Sequence, residues 1–232
     1  MFLCMILKKW NELPINMQND SIKKYYIYLA NRKLSLVVKR IFDITLSAIL
    51  LILLLPFFFI ISLLIKVESK GPVIYRQERV TQYGRVFKIH KFRTMVQDAD
   101  KIGTQVTVSN DSRITSIGKI LRKYRLDEIP QLIDILKGDM SFVGTRPEVK
   151  KYVDQYSEEM LATLLLPAGV TSEASINFKD EAEYLNDATN VDEVYLKEIL
   201  PKKMKYNLDS ILQFSFFSDI KTMINTVIEV MK

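Results

Sequence analysis

IFDITLSAILLILLLPFFFIISLLI, residues 41–65, is the stretch on which the architecture turns, and Asp43 is its only charged residue. As one straight helix it would be ~37 Å long, against a hydrocarbon layer of ~30 Å, so an ordinary membrane-spanning anchor is one reading. Two features point to another. Pro56 lacks an N–H, which deprives the Ile52 carbonyl of its helical donor, and its ring crowds the preceding turn. Both flanks are basic, with Lys33, Lys39 and Arg40 before the segment and Lys66, Lys70 and Arg76 after it. Basic flanks favour the cytoplasmic face. A helix broken at Pro56 satisfies both flanks as a re-entrant hairpin, with Ser47 and Ser62 at hand for freed backbone groups. From these residues alone the spanning and re-entrant readings stand side by side.

The rest of the chain is unlike the segment. Hydrophobic residues make up 48% of the 232 and charged residues 26%, a mixture that suits a water-facing body with one apolar element and excludes a polytopic transporter. The net charge of +6 is spread along the chain. It points to an anionic partner (nucleic acid, lipid headgroups or a phosphorylated substrate), with simple solubilisation as the plainer reading. Cys4 is the only cysteine and His90 the only histidine, so neither an intrachain disulfide nor a Cys/His zinc site can be built. His90 reads as structural. Phe2 to Leu7 are too short for a signal-peptide core, so the N-terminus is expected in the cytoplasm, with residues 1–16 a floppy extension or outside the natural chain if translation starts at Met17. Two amphipathic stretches flank the body. Ile22, Tyr25, Tyr26 and Leu29 share a helical face, open to core or to lipid. Phe217, Ile220, Ile224, Val227, Ile228 and Met231 share another, for which packing on the core is the preferred reading.

After Gly71-Pro72, Val73–Val80 and Arg85–Phe92 read as strands of a hairpin around Tyr83-Gly84. Arg76, Arg79, Arg85, Lys88, Lys91 and Arg93 would make that hairpin a face for phosphates or a solvated edge. From Ile114 the pattern is helical, with Ile117, Ile120 and Leu121 on one side, and it breaks near Leu126. Asp127-Glu128-Ile129-Pro130 then opens a second helix, since proline suits a first turn, and Gly138 suits its C-terminal cap. Asp127 and Glu128 at that terminus are either caps or functional carboxylates. In the functional reading, the terminus with Arg122 and Arg125 keeps Asp127 ionised, able to act as a nucleophile or to bind Mg²⁺. Gly138 to Pro147 reads as turn, short strand, turn, with Arg146 placed to grip a phosphate bidentately.

Taken in order, these segments resemble the bacterial sugar transferase family, the monotopic phosphoglycosyl transferases. The resemblance runs from Lys39-Arg40-Ile41-Phe42-Asp43 through Gly71-Pro72-Val73-Ile74-Tyr75-Arg76-Gln77 and Phe87-Lys88-Ile89-His90-Lys91-Phe92-Arg93-Thr94-Met95. It continues in Gly118-Lys119-Ile120-Leu121-Arg122, Leu126-Asp127-Glu128-Ile129-Pro130-Gln131-Leu132, and Leu136-Lys137-Gly138-Asp139-Met140-Ser141-Phe142-Val143-Gly144 before Arg146-Pro147. The resemblance implies an α/β, mostly α, catalytic body with a small β-hairpin, mounted on one re-entrant helix-break-helix hairpin with its break at Pro56. The expected division is an extension with an amphipathic helix (1–35), the re-entrant helix (36–70) and a catalytic domain (71–232) on the cytoplasmic face of the bacterial inner membrane. The implied reaction moves a phosphosugar from a UDP-sugar donor to polyprenyl (undecaprenyl) phosphate, in membrane lipid, releasing UMP. Asp127 would carry the phosphosugar covalently, Glu128 would support it, and Mg²⁺ would bind at Asp127 and the diphosphate. Lys91, Arg122 and Arg146 match phosphate-holding positions. No nucleic-acid partner is expected, and a homodimer is left open.

The match weakens after Lys150. Where many members have Arg-Pro-Gly-Ile-Thr-Gly, this chain has Leu166-Pro167-Ala168-Gly169-Val170-Thr171-Ser172, so the donor sugar is not inherited from relatives. The acidic run from Asp180 to Glu198 reads as a solvated, helix-rich insert, and Asp209 as either a nucleotide-side contact or a helix cap. An inactive membrane scaffold of a glycan assembly complex is the first alternative. A membrane-anchored nucleic-acid binder, suggested by charge alone, is the second; its affinity would fall steeply with salt.

Overall fold

The computed structural model describes residues 7–99, 111–179 and 190–231. The chain opens with two 3₁₀ turns and then α1 (Asp20–Ala30), whose N-terminus is capped by Asn19 accepting from the Ile22 N–H at 3.0 Å. Ile22, Tyr25 and Leu29 are buried against Leu165, Ile211 and Phe214, so this amphipathic face belongs to the protein core and not to lipid. Leu7, Leu13 and Met17 join the same cluster. From residue 7 onward the N-terminal segment is therefore packed, in contrast to the floppy extension expected; residues 1–6 lie outside the described residues.

The apolar segment forms α2 (Lys33–Leu53) and α3 (Leu55–Glu68), bent by 61° at Leu54. Pro56 sits in the first turn of α3, where its missing N–H costs nothing. At the break Leu54 N–H bonds the Leu50 carbonyl and Phe58 N–H the Leu54 carbonyl, both at 2.9 Å. Ser47 and Ser62 donate to the carbonyls of Ile44 and Phe58, one turn back in each helix, and so do not repair the break as expected. Among the described residues no single helix is long and apolar enough to cross a membrane; the bent pair is, by length and composition. One side of the pair packs on the body through Leu36, Leu50, Leu51, Phe58, Ile61 and Ile65. The other exposes Ile49, Ile52, Leu53, Phe57, Phe59 and Leu63, among others.

The expected hairpin is present as β1 (Ile74–Val80) and β2 (Val86–Phe92), antiparallel with Ile74 opposite Phe92 and Val80 opposite Val86. Tyr83 and Gly84 take positive φ at the turn. Then follow α4 (Ser116–Lys123), a 3₁₀ turn (Leu126–Gln131), α5 (Leu132–Lys137), β3 (Met140–Val143), α6 (Lys150–Val153), β4 (Ala168–Thr171) and α7 (Glu173–Asn177). Strand β4, which the sequence did not suggest, pairs parallel with β3. Gly144 and Gly169 meet so closely there that a Cβ on Gly169 would lie 2.1 Å from the Gly144 nitrogen. Residues 180–189 of the acidic run lie outside the described residues. Beyond them come α8 (Val191–Val194), a π turn (Tyr195–Ile199), α9 (Leu200–Leu212) and α10 (Phe216–Met231). Among the described residues the architecture is mostly helical with two small two-stranded sheets.

Helix α10 overturns the core-packing expectation. Phe217 is 82% exposed, and Ile224, Val227 and Ile228 are also exposed, while Thr222 on the polar side is 6% exposed. The side chain of Met231 lies outside the described residues. Polar anchors turn the helix: Thr222 donates to Glu173 at 2.7 Å, Thr226 shares a hydrogen bond with Thr171, and Asp219 pairs with Lys39 of α2. The apolar stripe is left facing outward, next to α2, which it meets through Phe216 and Phe42.

Candidate active site

Helix α4 is held at its start by Thr115, which caps the Gly118 N–H at 3.0 Å, and by Glu68 at the end of α3. The Glu68 carboxylate accepts from the N–H groups of Ser116 (2.7 Å) and Ile117 (3.1 Å), where a negative charge complements the helix dipole. Arg125, at φ 56°, ends the helix and turns the chain into the 3₁₀ segment. Leu126 and Ile129 face the core, which aims Asp127, Glu128 and Gln131 at a cleft of about 1030 Å³. Gly138 closes α5 in the left-handed conformation expected. The C-terminal carbonyls of α5 accept from Arg40 of α2, at 2.7 Å to Ile135 and 3.1 Å to Leu136.

His90 is structural, as its isolation in the sequence implied. Its backbone N–H and Nδ1 both bond Asp134 of α5, at 2.9 and 2.6 Å. That clamp fixes β2 against α5 and presents the next residue, Lys91, to Glu128 at 3.0 Å. On its other side Glu128 is gripped by both terminal nitrogens of Arg146. Backbone bonds from Gly144 N–H to Thr171 and from Gly169 N–H to Thr145 brace the loop that carries Arg146. Arg122 is oriented by its Nε bond to Thr94 at 2.9 Å.

Neither acid caps its turn. Burial alone would raise the Glu128 carboxyl, but Arg146 and Lys91 override it and hold it well below the usual carboxylate range. Asp127 moves the opposite way. Burial, together with the charge of Glu128, pushes it up, against the opposing pull of Lys91, Arg122 and Arg146. Arg122 pulls on Asp127 as the sequence reading had it, but burial and Glu128 outweigh the cations, and the two that touch an acid, Lys91 and Arg146, touch Glu128. No described residue donates a hydrogen bond to the Asp127 carboxylate. Burial lowers Lys91, and Glu128 opposes that shift.

Asp127, Glu128, Lys91, Arg122 and Arg146 thus line one cleft. Asp209 does not join them; it is exposed in the last turn of α9 and does not line the cleft. The six hairpin cations divide: Arg76, Arg79, Lys91 and Arg93 line the cleft, whereas Arg85 pairs with Asp139 and Lys88 stays exposed. Lining residues that the sequence reading missed include Gln131, Glu148, Tyr195 and Lys203. Gln131 had a signal, since it lies one turn beyond Asp127; it is buried, and neither of its amide atoms has a partner among the described residues. Tyr195 and Lys203 had none.

Among the described residues no three His, Cys, Asp or Glu side chains form a ready metal cage. Mg²⁺ is typically held by one or two carboxylates plus substrate phosphate oxygens. Asp127 offers one carboxylate, while the oxygens of Glu128 are occupied by Lys91 and Arg146. The donor set fits a cation bound jointly with an anionic ligand and does not fit one held by protein alone.

The geometry is matched by kinship. A relative from Aeromonas hydrophila, a UDP-N-acetylgalactosamine-undecaprenyl-phosphate N-acetylgalactosaminephosphotransferase, is 44% identical over 53% of this chain and 29% of its own. A UDP-glucose:undecaprenyl-phosphate glucose-1-phosphate transferase from Escherichia coli is 37% identical over 82% of this chain and 39% of its own. A protein of that same name from Caulobacter vibrioides is 33% identical over 82% of this chain and 68% of its own. The chain thus spans well under half the length of the first two. Residues 34–232, which include α2, the cleft and α10, match the family model described as bacterial sugar transferase, and the chain belongs to that family.

Proposed function

We propose that this protein transfers a sugar phosphate from a UDP-sugar to a polyprenyl phosphate, undecaprenyl phosphate by analogy with its relatives. The observation that carries the reading is the division of labour in the carboxylate pair. Glu128 is saturated by Lys91 and Arg146, and Asp127 beside it faces the cleft with a carboxylate made more basic by burial and by its neighbour.

Asp127 attacks the phosphorus that bears the sugar. A P–O bond to that oxygen forms, and the bond to the second phosphate breaks, its electron pair leaving with UMP. A phosphate oxygen of the carrier then attacks the same phosphorus and displaces Asp127. Lys91, Arg122 and Arg146 stabilise the charge spread over the phosphoryl oxygens, the main requirement of such transfers. Glu128 holds Lys91 and Arg146 in place. Mg²⁺, held by Asp127 and the diphosphate, would supply charge neutralisation on the leaving side.

The acceptor phosphate lies at headgroup level, so the site belongs at a membrane surface. We place α2–α3 as a re-entrant hairpin in the bacterial inner membrane with the cleft on the cytoplasmic side. Supporting this are the 61° bend, the basic flanks and the outward apolar side. The outward stripe of α10, abutting α2, extends the same surface. Cysteines placed singly at Lys33 and Lys70 in a Cys4→Ser background should be labelled only from the cytoplasm; labelling of one flank from outside would remove the hairpin reading.

The reaction is tested by UMP release from detergent-purified protein given Mg²⁺, undecaprenyl phosphate and a panel of UDP-sugars, beside Asp127→Asn. Release with one donor, lost in the variant, is expected. No release from folded protein with any donor would favour the inactive scaffold.

A further inference from the structure

Away from the dyad, the cleft runs past Arg146 to a second polar cluster. Glu148, two residues beyond Arg146, is buried, and its backbone carbonyl accepts from the Val80 N–H at 2.9 Å, fixing it to the end of β1. Its carboxylate accepts from the Tyr195 hydroxyl, lies 3.7 Å from the Lys203 ammonium and 4.0 Å from the Arg79 guanidinium. Lys203 also donates to the Tyr195 hydroxyl at 3.1 Å and stands over its ring. Tyr195 and Lys203 are both buried, yet all four side chains line the cleft.

The backbone is specifically shaped to make this cluster. Tyr195 and Lys203 are eight positions apart, which in a regular α-helix leaves them ~80° apart around the axis. The π turn at Tyr195–Ile199 takes up one extra residue, so the pair is separated by about seven α-helical steps and falls within ~20° of one face. Single π turns inside helices are rare and concentrate at functional sites. Here the turn brings a phenol and an ammonium together over one carboxylate at the wall of the cleft.

Two groups of side chains in the cleft lining differ in their charge. On the Arg122 side stand Arg113 (paired with Asp111), Lys123 and Arg125, a cationic surface suited to phosphate. On the Glu148 side, one carboxylate stands between two cations and two donors face a common acceptor. Such a group is suited to a neutral polyol: the carboxylate and the phenol oxygen accept from hydroxyls while the ammonium donates to them.

We propose that Glu148, Tyr195 and Lys203 read the hydroxyl groups of the transferred sugar and so determine donor specificity. The inference rests on the transferase reading above. It is tested with the full chain by measuring kcat/KM for UDP-glucose, UDP-galactose, UDP-N-acetylglucosamine and UDP-N-acetylgalactosamine, together with inhibition by UMP, in wild type, Lys203→Met and Tyr195→Phe. The expected result is a change of ~10-fold or more in the ratio of the best to the second donor, with UMP inhibition unchanged. An unchanged ratio in folded variants overturns the proposal. So does UMP inhibition that weakens in parallel, which would assign the cluster to the nucleotide. If Lys203→Met does not fold, Tyr195→Phe, which removes one hydroxyl, decides alone. Wild-type protein silent with every donor would bring down the transferase reading itself, and this one with it, an outcome distinct from active enzyme with an unaltered donor ratio.

Discussion

Replacing Arg146 by methionine should destabilise the protein far more than removing a surface cation would, and removing Glu128 as well should recover part of the loss. Glu128 is 8% exposed at its side chain and Arg146 29%. Taking one partner from a buried ion pair costs about 3–5 kcal/mol, because the other charge is left stranded. Lys91 remains at 3.0 Å and Arg146 is partly hydrated, so the lower side applies, about 2–3 kcal/mol. For a chain of this length that lowers the melting temperature by ~5–10 °C. Glu128→Gln alone should cost less, since the cations it leaves face a wet cleft. In the double variant the Glu128 charge is no longer stranded and only Lys91, at the wall of the cleft, loses its partner, so the two effects should fall short of additivity by about 1–2 kcal/mol. The assay is urea unfolding in matched detergent, repeated as pH is lowered. Glu128 is held below its unfolded value, so its contribution is full above the ordinary carboxylate range and is lost as pH falls through its folded value. The gap between wild type and Arg146→Met should therefore be widest near neutrality and narrow in acid. Additive single effects, or a gap independent of pH, would refute the assignment of Arg146 and Glu128 as one buried unit.

Asp127→Asn should abolish turnover yet stabilise the fold at neutral pH. The carboxyl of Asp127 is raised, so the cost of its charge is full above its folded value and disappears below the ordinary carboxylate range; melting curves at pH 7.5 and pH 3 should show the gain only at the former. Gln131→Leu relieves a buried amide without partners, worth about 1–3 kcal/mol, and should raise the melting temperature while lowering turnover. A variant that is less stable would mean that the amide is satisfied. Val227→Trp in a Trp10→Phe background should give blue-shifted emission quenched by brominated lipid in nanodiscs. Water-like emission would sink the placement of α10 at the membrane surface.

Much of the site could be read in the chain because it is local. Glycine at a helix end and the order of short motifs fix α5 and the loop of Arg146, and Pro130, expected to open the second helix, lies inside the 3₁₀ turn ahead of it; these segments carry Asp127, Glu128 and Arg146 on their own. What was misread depended on partners distant in sequence. The stripe from Phe217 to Ile228 has helical period, but period marks a face without saying what covers it; Thr171, Glu173 and Lys39 decide that, and they hold the polar side inward. Arg122 acts on Asp127 as its place in the sequence suggested, but the burial and the Glu128 charge that outweigh it depend on the fold, as do Lys91 and Arg146, which come from β2 and a distant loop to Glu128. Strand β4 exists only through pairing with β3, and the π turn at Tyr195 adds one residue to a helix without altering its composition. Asp209 looked plausible by pattern, and its position in α9 takes it away from the cleft.

The central claim is that Asp127 carries the phosphosugar. It is tested by incubating purified protein with Mg²⁺ and the active UDP-sugar without acceptor, quenching, and measuring the mass of the peptide that contains Asp127. The account predicts an added sugar phosphate on that peptide, stoichiometric with the UMP released, absent in Asp127→Asn and discharged when undecaprenyl phosphate is added. UMP release that occurs only when acceptor is present, with Asp127 unmodified throughout, would contradict it.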